Sequence, residues 1–206
     1  MELAAARKPN TRKKKKIPSH LIYEIMDGKP LYRKGYKKAL LNKDNFNEMG
    51  SSSLQVVIIN CILELIYGFR DKKKYWVFTN ESGLHINTNN NLCGDILIFE
   101  KSKLTPDKIN TKYIDIPAVV QIEVDISADL EDLGDLQYIT KKIDKLLDFG
   151  TQKIIWIFSA SQRVIIATPG KGWITEHWDT DIEIMDGHTF NIGKYLKEEG
   201  IKVDEI

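Results

Sequence analysis

Val120-Gln121-Ile122-Glu123-Val124-Asp125 is the stretch on which the fold turns. In a strand expected over 118–127, Val120, Ile122, Val124 and Ile126 alternate with Gln121, Glu123, Asp125 and Ser127, the two-residue period of such an element. One face is apolar and belongs in a core; the other is polar and acidic. Glu123 and Asp125 share that second face, about 7 Å apart by two residues of strand rise. Acids that close repel unless a base or a cation lies between them. The plain alternative is a sheet face turned to water.

The segment that follows, 135–149, has a helical period and ends at Gly150, a residue suited to the position after a helix. At about 100° per residue, Ile139, Ile143, Leu146, Leu147 and Phe149 form one apolar arc, with Lys141, Asp144 and Asp148 on the far side and Lys145 at the margin. Lys142 falls inside the arc. A lysine there snorkels to the surface, pairs with buried acids or takes part in chemistry. The acidic face of the preceding strand supplies partners for the last two. Asp95 follows Gly94 and opens the apolar run Ile96-Leu97-Ile98-Phe99; its ordinary reading is a turn aspartate. Together Asp95, Glu123 and Lys142 are the residue types that metal-dependent phosphodiester cleavage needs. Carboxylates hold a hard cation such as magnesium, and an ammonium offsets charge on the phosphate.

Working outward, Ser51-Ser52-Ser53 offers a cap for a helix over 54–69, apolar on most sides with Asn60, Glu64 and Tyr67 as its polar stripe. Strands are expected at 74–80, 83–86 and 95–100, separated by Asn/Gly-rich turns. A loop over 101–117 precedes the acidic strand. Further strands are expected at 153–159, 162–168 and 173–178, and a last helix over 191–199. Near the start, Ile22–Met26 and Pro30–Tyr32 flank Asp27-Gly28-Lys29, a hairpin signal. Glu-Ile-Met-Asp-Gly at 24–28 recurs at 183–187, and both copies read as turn chemistry. The segment 33–50 reads as basic and irregular. This order predicts an α/β (α+β) domain around one mixed sheet.

The length of 206 residues suits one domain, expected over 17–206. Before it, Arg7, Lys8, Arg12, Lys13, Lys14, Lys15 and Lys16 face a single acid, Glu2. From totals of 30 basic and 29 acidic residues, this leaves 23 and 28 after residue 16, a net of −5. Residues 1–16 are expected to be a disordered basic tail. Arg12, Lys13, Lys14, Lys15 and Lys16 suit a phosphate-binding arm, a localisation signal, or a solvated tail that aids solubility. No apolar run approaches the roughly 18 residues of a membrane span, and no apolar region follows the basic start as in a signal peptide. A cytoplasmic protein is expected. Cys61 and Cys93 sit in apolar stretches and read as buried reduced thiols. The four histidines have no metal-ligand spacing.

The chain resembles the Uma-two family of restriction-endonuclease-like proteins, within the PD-(D/E)XK nuclease superfamily. The likeness rests on Tyr23-Glu24-Ile25-Met26-Asp27-Gly28, the helix from Ser52, Gly94-Asp95 with Ile96-Leu97-Ile98-Phe99, Val120-Gln121-Ile122-Glu123-Val124, and Lys142 through Gly150 with Ile154-Ile155-Trp156-Ile157. It implies a restriction endonuclease-like core, a central mixed sheet flanked by helices. It also implies a DNA endonuclease using Mg2+ or Mn2+, and often a homodimer. By position, Asp95 matches the metal-binding aspartate, Glu123 the second acidic ligand and Lys142 a helix lysine. The superfamily's usual motif would place lysine at 125, where this chain has Asp125; Lys142 would restore the charge from the helix. Gly94 stands where the family has proline. Some members use an acid on the first helix, which makes Glu64 and the inward-lying Gln55 accessory candidates. Two other classes compete with the enzyme: an inactive nuclease-fold nucleic-acid-binding module, and a structural or dimerisation protein with Lys142 in a buried salt bridge.

Overall fold

Ser52 starts the first long helix in the way its sequence suggests. Its hydroxyl accepts the Gln55 N–H at 3.2 Å, and the Gln55 side chain accepts the Ser52 N–H at 2.9 Å. This reciprocal capping box satisfies two of the donors that a helix start leaves open. The computed structural model describes residues 17–32, 36–41, 51–126 and 135–203; the expected tail 1–16 lies outside them.

The elements are β1 (Ile22–Met26), β2 (Lys29–Tyr32), α1 (Tyr36–Leu41), α2 (Ser53–Phe69), β3 (Tyr75–Asn87), β4 (Asn90–Glu100), β5 (Val120–Asp125), α3 (Asp135–Phe149), β6 (Lys153–Phe158), β7 (Arg163–Ala167), β8 (Ile174–His177), β9 (Ile182–Met185), β10 (His188–Phe190) and α4 (Ile192–Glu198). The central sheet runs β2-β1-β4-β5-β6-β7-β8, with β3 added along β4. β5 and β6 are parallel and are joined through α3. The other described strand pairs are antiparallel, so the sheet is mixed.

Helices cover both faces. On one, Ile58, Ile62 and Ile66 of α2 pack on Ile96, Ile98, Val120, Ile122 and Val124, with Ile192 and Leu196 of α4 in the same cluster. Each fully buried aliphatic side chain there contributes about 1.5–3 kcal/mol. On the other, Tyr138, Ile139, Ile143 and Leu146 of α3 pack with Leu97, Phe99, Ile154 and Trp156. The acidic face of β5 is therefore covered: Gln121 and Glu123 are buried and Asp125 at its end is half-buried. It lies under α3.

Several boundaries differ from the sequence reading. The strands expected at 74–80 and 83–86 are one strand, β3. The break between them is a bulge where Asn80 and Glu81 take positive φ of 70° and 51°. The Asn-rich stretch 87–91 is a tight turn with β4 already under way at Asn90. Six residues of the segment read as irregular form α1. The second Glu-Ile-Met-Asp-Gly copy closes a hairpin, β9–β10, that the sequence reading leaves out. Asp27 and Gly28 have φ of 54° and 70°, and Asp186 and Gly187 have 53° and 78°. Both copies thus make the turn with two left-handed central residues that matches strand twist.

Candidate active site

The site lies at a fork in the sheet. β1 and β5 both join the edge of β4 that faces away from β3. β1 pairs at Ile25–Asn91 and β5 from Ile96–Ile122 to Ile98–Val120. Between these contacts β4 passes Cys93 and Asp95. The Cys93 N–H is taken by a side chain instead of a strand: it donates to Oε1 of Glu24 at 3.0 Å. Its carbonyl accepts from Nε2 of Gln121 at 3.1 Å. Two polar side chains thus stand in for the missing backbone partners, as buried N–H and C=O groups require.

Lys142 enters this gap from α3. It is fully buried, and its Nζ lies 2.8 Å from Oε1 of Glu24 and 3.1 Å from Oε1 of Glu123. Nζ also stands 3.3 Å from the Tyr138 hydroxyl, which donates to Oε2 of Glu24 at 2.7 Å. The rings of Tyr23, Tyr138 and Trp156 surround the ammonium at 5.3–5.9 Å. One turn along the same helix, Lys145 is half-buried and bonds Asp27 at 2.5 Å, while the more exposed Lys141 side chain stands 3.9 Å from the same carboxylate. The helical period separates these three lysines as expected.

The acids follow from strand alternation. Glu123, on β5, is buried, and its Oε1 also accepts from Gln121 Nε2 at 2.5 Å. Asp95, half-buried on β4, accepts the Val124 N–H at 2.7 Å through Oδ2. Asp125, also half-buried, accepts from Trp156 Nε1 at 2.7 Å. Gln55 of α2 donates to the Val124 carbonyl at 2.8 Å, so it ties α2 to the end of β5 beside Asp125. Glu64 is not brought to this place. It lies nine residues beyond Gln55, about half a turn round the helix and roughly 13 Å along it. There it lines a separate surface cavity of about 650 Å³ with Cys61, His188 and Tyr195.

Burial dominates the electrostatics. It raises the Glu123 carboxyl to about 8, against the pull of Lys142, with Asp95, Asp125 and Glu24 adding to the rise. Asp125 is raised to about 6 by burial, opposed by Lys142 and the Trp156 N–H. Burial also raises Asp95, against the Val124 N–H and Lys142. For Lys142 burial pulls downward, but the Glu123 and Glu24 carboxylates outweigh it and hold the ammonium well above the usual range.

Glu24 belongs to this cluster, although the sequence reading assigns it only to the opening hairpin. A signal for it exists. Glu24 and Met26 share the buried face of β1, so Glu24 is a charge on an otherwise apolar face, as Lys142 is on its helix. Opposite Asp95 sits the β3 bulge, between the pairs Thr79–Ile96 and Ser82–Gly94, and the charge of Glu81 there adds to the rise at Asp95.

Among the described residues no three His, Cys, Asp or Glu side chains are arranged to hold a metal ion by themselves. The donors at the fork are two carboxylates. Oδ2 of Asp95 and Oε1 of Glu123 take protein donors, leaving Oδ1 and Oε2, to which no described residue donates. Magnesium keeps several waters and takes one or two carboxylates together with substrate phosphates. The pair fits such an ion and does not form a closed cage.

No family model matches this chain, and no curated protein matches it. Four chains of solved structures do match. Among them is a protein of Anabaena variabilis ATCC 29413 described as "a putative nuclease belonging to DUF820". The two are 16% identical and superpose with a TM-score of 0.62 over 87% of this chain and 92% of that one. At that identity the likeness is one of fold: an α/β architecture with a central mixed sheet flanked by helices. No described helix is long and apolar enough to cross a membrane.

Proposed function

We propose that this chain is a metal-dependent nuclease of the PD-(D/E)XK type that hydrolyses phosphodiester bonds in DNA. The observation that carries the reading is the meeting of three elements at the fork. Lys142 of α3 lies 3.1 Å from Glu123 of β5, and Asp95 of β4 bonds the backbone N–H of the next β5 residue. The solved nuclease-like neighbour and the resemblance to the Uma-two family support the same reading.

Asp95 and Glu123 would hold Mg2+ or Mn2+ through Oδ1 and Oε2, to which no described residue donates. When bound, such a cation polarises a phosphoryl oxygen and lowers the pKa of a water. Lys142 holds Oε1 of Glu123 and keeps a positive charge beside the reacting phosphate. Glu24 holds Lys142 from the far side and keeps it protonated. Asp125 takes the position of the superfamily lysine and is tied down by Trp156. Arg12, Lys13, Lys14, Lys15 and Lys16 would contact backbone phosphates outside the cleavage site.

A second reading has an observation of its own: Lys142 exposes no surface. The Glu24–Lys142–Glu123 arrangement also suits a buried tie between β1, α3 and β5 in a protein that does not cleave.

Plasmid nicking separates the two. The nuclease reading expects nicking by the purified chain with Mg2+ or Mn2+, none with chelator, and a loss of at least 100-fold in Asp95→Asn and Glu123→Gln. A wild-type chain that neither nicks nor binds Mn2+ leaves the structural tie as the answer.

A further inference from the structure

Gln121 is the one uncharged polar side chain in the row Gln121-Glu123-Asp125, and it is fully buried. Its Nε2 donates twice, to the Cys93 carbonyl at 3.1 Å and to Oε1 of Glu123 at 2.5 Å. The Cys93 carbonyl can only accept, which fixes the orientation of the amide. Its Oε1 is left with no partner although it is buried. An orphaned acceptor of this kind costs about 1–3 kcal/mol. Space for the amide exists because residue 94 is glycine. A Cβ there would stand 2.7 Å from Nε2 and 3.0 Å from both Cδ of Gln121 and Cδ1 of Leu97.

Packing alone does not favour this arrangement. The amide carries an unmet acceptor into the core, and residue 94, next to Asp95, must lack a side chain to admit it. What the arrangement secures is a donor on one chosen oxygen of Glu123. Lys142 holds the same oxygen at 3.1 Å. The two donors together fix the carboxylate by Oε1 and leave Oε2 available.

We infer that Gln121 is a positioning residue for Glu123: with Gly94 giving it room, its amide fixes the carboxylate so that Oε2 is offered to the divalent cation. This rests on the reading of Glu123 as a cation ligand. Supports of this kind alter metal affinity by about 10–100-fold when removed.

The test is Mn2+ affinity of the full chain, measured by electron paramagnetic resonance at neutral pH, beside the urea midpoint of each variant. Gln121→Leu leaves the Cys93 carbonyl without a donor, so some stability is lost whatever the role of the amide. The inference expects in addition a Kd for Mn2+ weakened at least 10-fold. Gly94→Ala pushes the amide aside while keeping its chemistry; it is expected to weaken Mn2+ in the parent chain and to have no further effect in Gln121→Ala, where the space is free. A lowered urea midpoint with unchanged Kd would show the amide to be only a plug for the Cys93 carbonyl, and would overturn the inference. Should Gln121→Leu not fold, the Gly94→Ala comparison decides alone. A parent chain that binds no Mn2+ overturns the reading of Glu123 and this inference with it.

Discussion

Replacing Lys142 by methionine keeps the length of the side chain and removes its charge. Glu24 and Glu123 then face each other in a buried space without the ammonium that lies 2.8 and 3.1 Å from them. Deleting one partner of a buried ion pair costs about 3–5 kcal/mol, because the other is left uncompensated. Here the loss falls near the lower end. Glu24 keeps the Cys93 N–H and the Tyr138 hydroxyl, and Glu123 keeps the Gln121 amide. About 3 kcal/mol is a large share of the roughly 5–15 kcal/mol that holds a domain together. For a chain of this size it lowers the melting temperature by roughly 6–12 °C. Urea unfolding followed by tryptophan fluorescence reads it directly, since the Trp156 ring centroid lies 5.3 Å from Nζ. The deficit should shrink as pH falls, because a proton on Glu123 then offsets the charge that the lysine no longer meets. Lys141→Met is the control: its side chain is 43% exposed and 3.9 Å from Asp27, and its effect should stay below about 0.5 kcal/mol. A deficit for Lys142→Met under about 1 kcal/mol, or one that grows toward low pH, would refute the geometry argued for this site.

Stability should also depend on pH through Glu123 itself. Its carboxyl lies at about 8 in the folded chain against an ordinary 4.5, so the folded state keeps the proton that the unfolded state has lost. The contribution is fully present below about 4.5 and fades as pH rises to about 8. Urea midpoints of the parent chain should fall across that window, and those of Glu123→Gln should fall less; parallel curves would contradict the assignment. Trp156→Phe removes the donor that meets Asp125 at 2.7 Å and should cost about 1–3 kcal/mol. In a double-mutant cycle with Asp125→Asn the two changes should couple by at least about 0.5 kcal/mol; simple additivity would mean that the bond carries no energy.

What could be read from the sequence follows from periodicity. Helical spacing sets the direction of a side chain, so the inward lysine on α3 was legible. Strand alternation set Glu123 and Asp125 on one face in the same way. It could not say what covers that face, since a polar row opposite water and one opposite a helix have the same period. Glu24 escaped for a related reason: in a short strand beside an Asp-Gly turn, one charge reads as hairpin edge, and only its pairing with a lysine over 100 residues away gives it meaning. Asn80 and Glu81 look like turn residues because they are bulge residues, and bulges use the same left-handed conformations as turns. The β9–β10 hairpin had a legible turn but flanks too short and too charged to signal strands. Glu64 drew notice as the acid of α2, although helical spacing already turned it away from Gln55.

The charge count at the fork bears on the choice between nuclease and structural tie. A tie needs one acid for one lysine, or two acids that share it, and Glu24 and Glu123 fill that need. Asp95 and Asp125 add two more acids, both with carboxyls raised by burial, Asp95 further by Glu81 and Glu24 and Asp125 by Asp95 and Glu24. Asp95 meets the Val124 N–H and Asp125 the Trp156 N–H, but each also brings a negative charge that raises the Glu123 carboxyl and that Lys142 offsets. Proteins tolerate such an excess of buried acid by holding protons on it or by binding a cation. The carboxyls at about 8 and about 6 are the first of these solutions, and Oδ1 of Asp95 and Oε2 of Glu123, to which no described residue donates, suit the second. The tie of Glu24, Lys142 and Glu123 does not itself include Asp95, whose described partner is the Val124 N–H. A site that accepts a divalent cation would use all of them, with Lys142 offsetting part of the negative charge of the cluster.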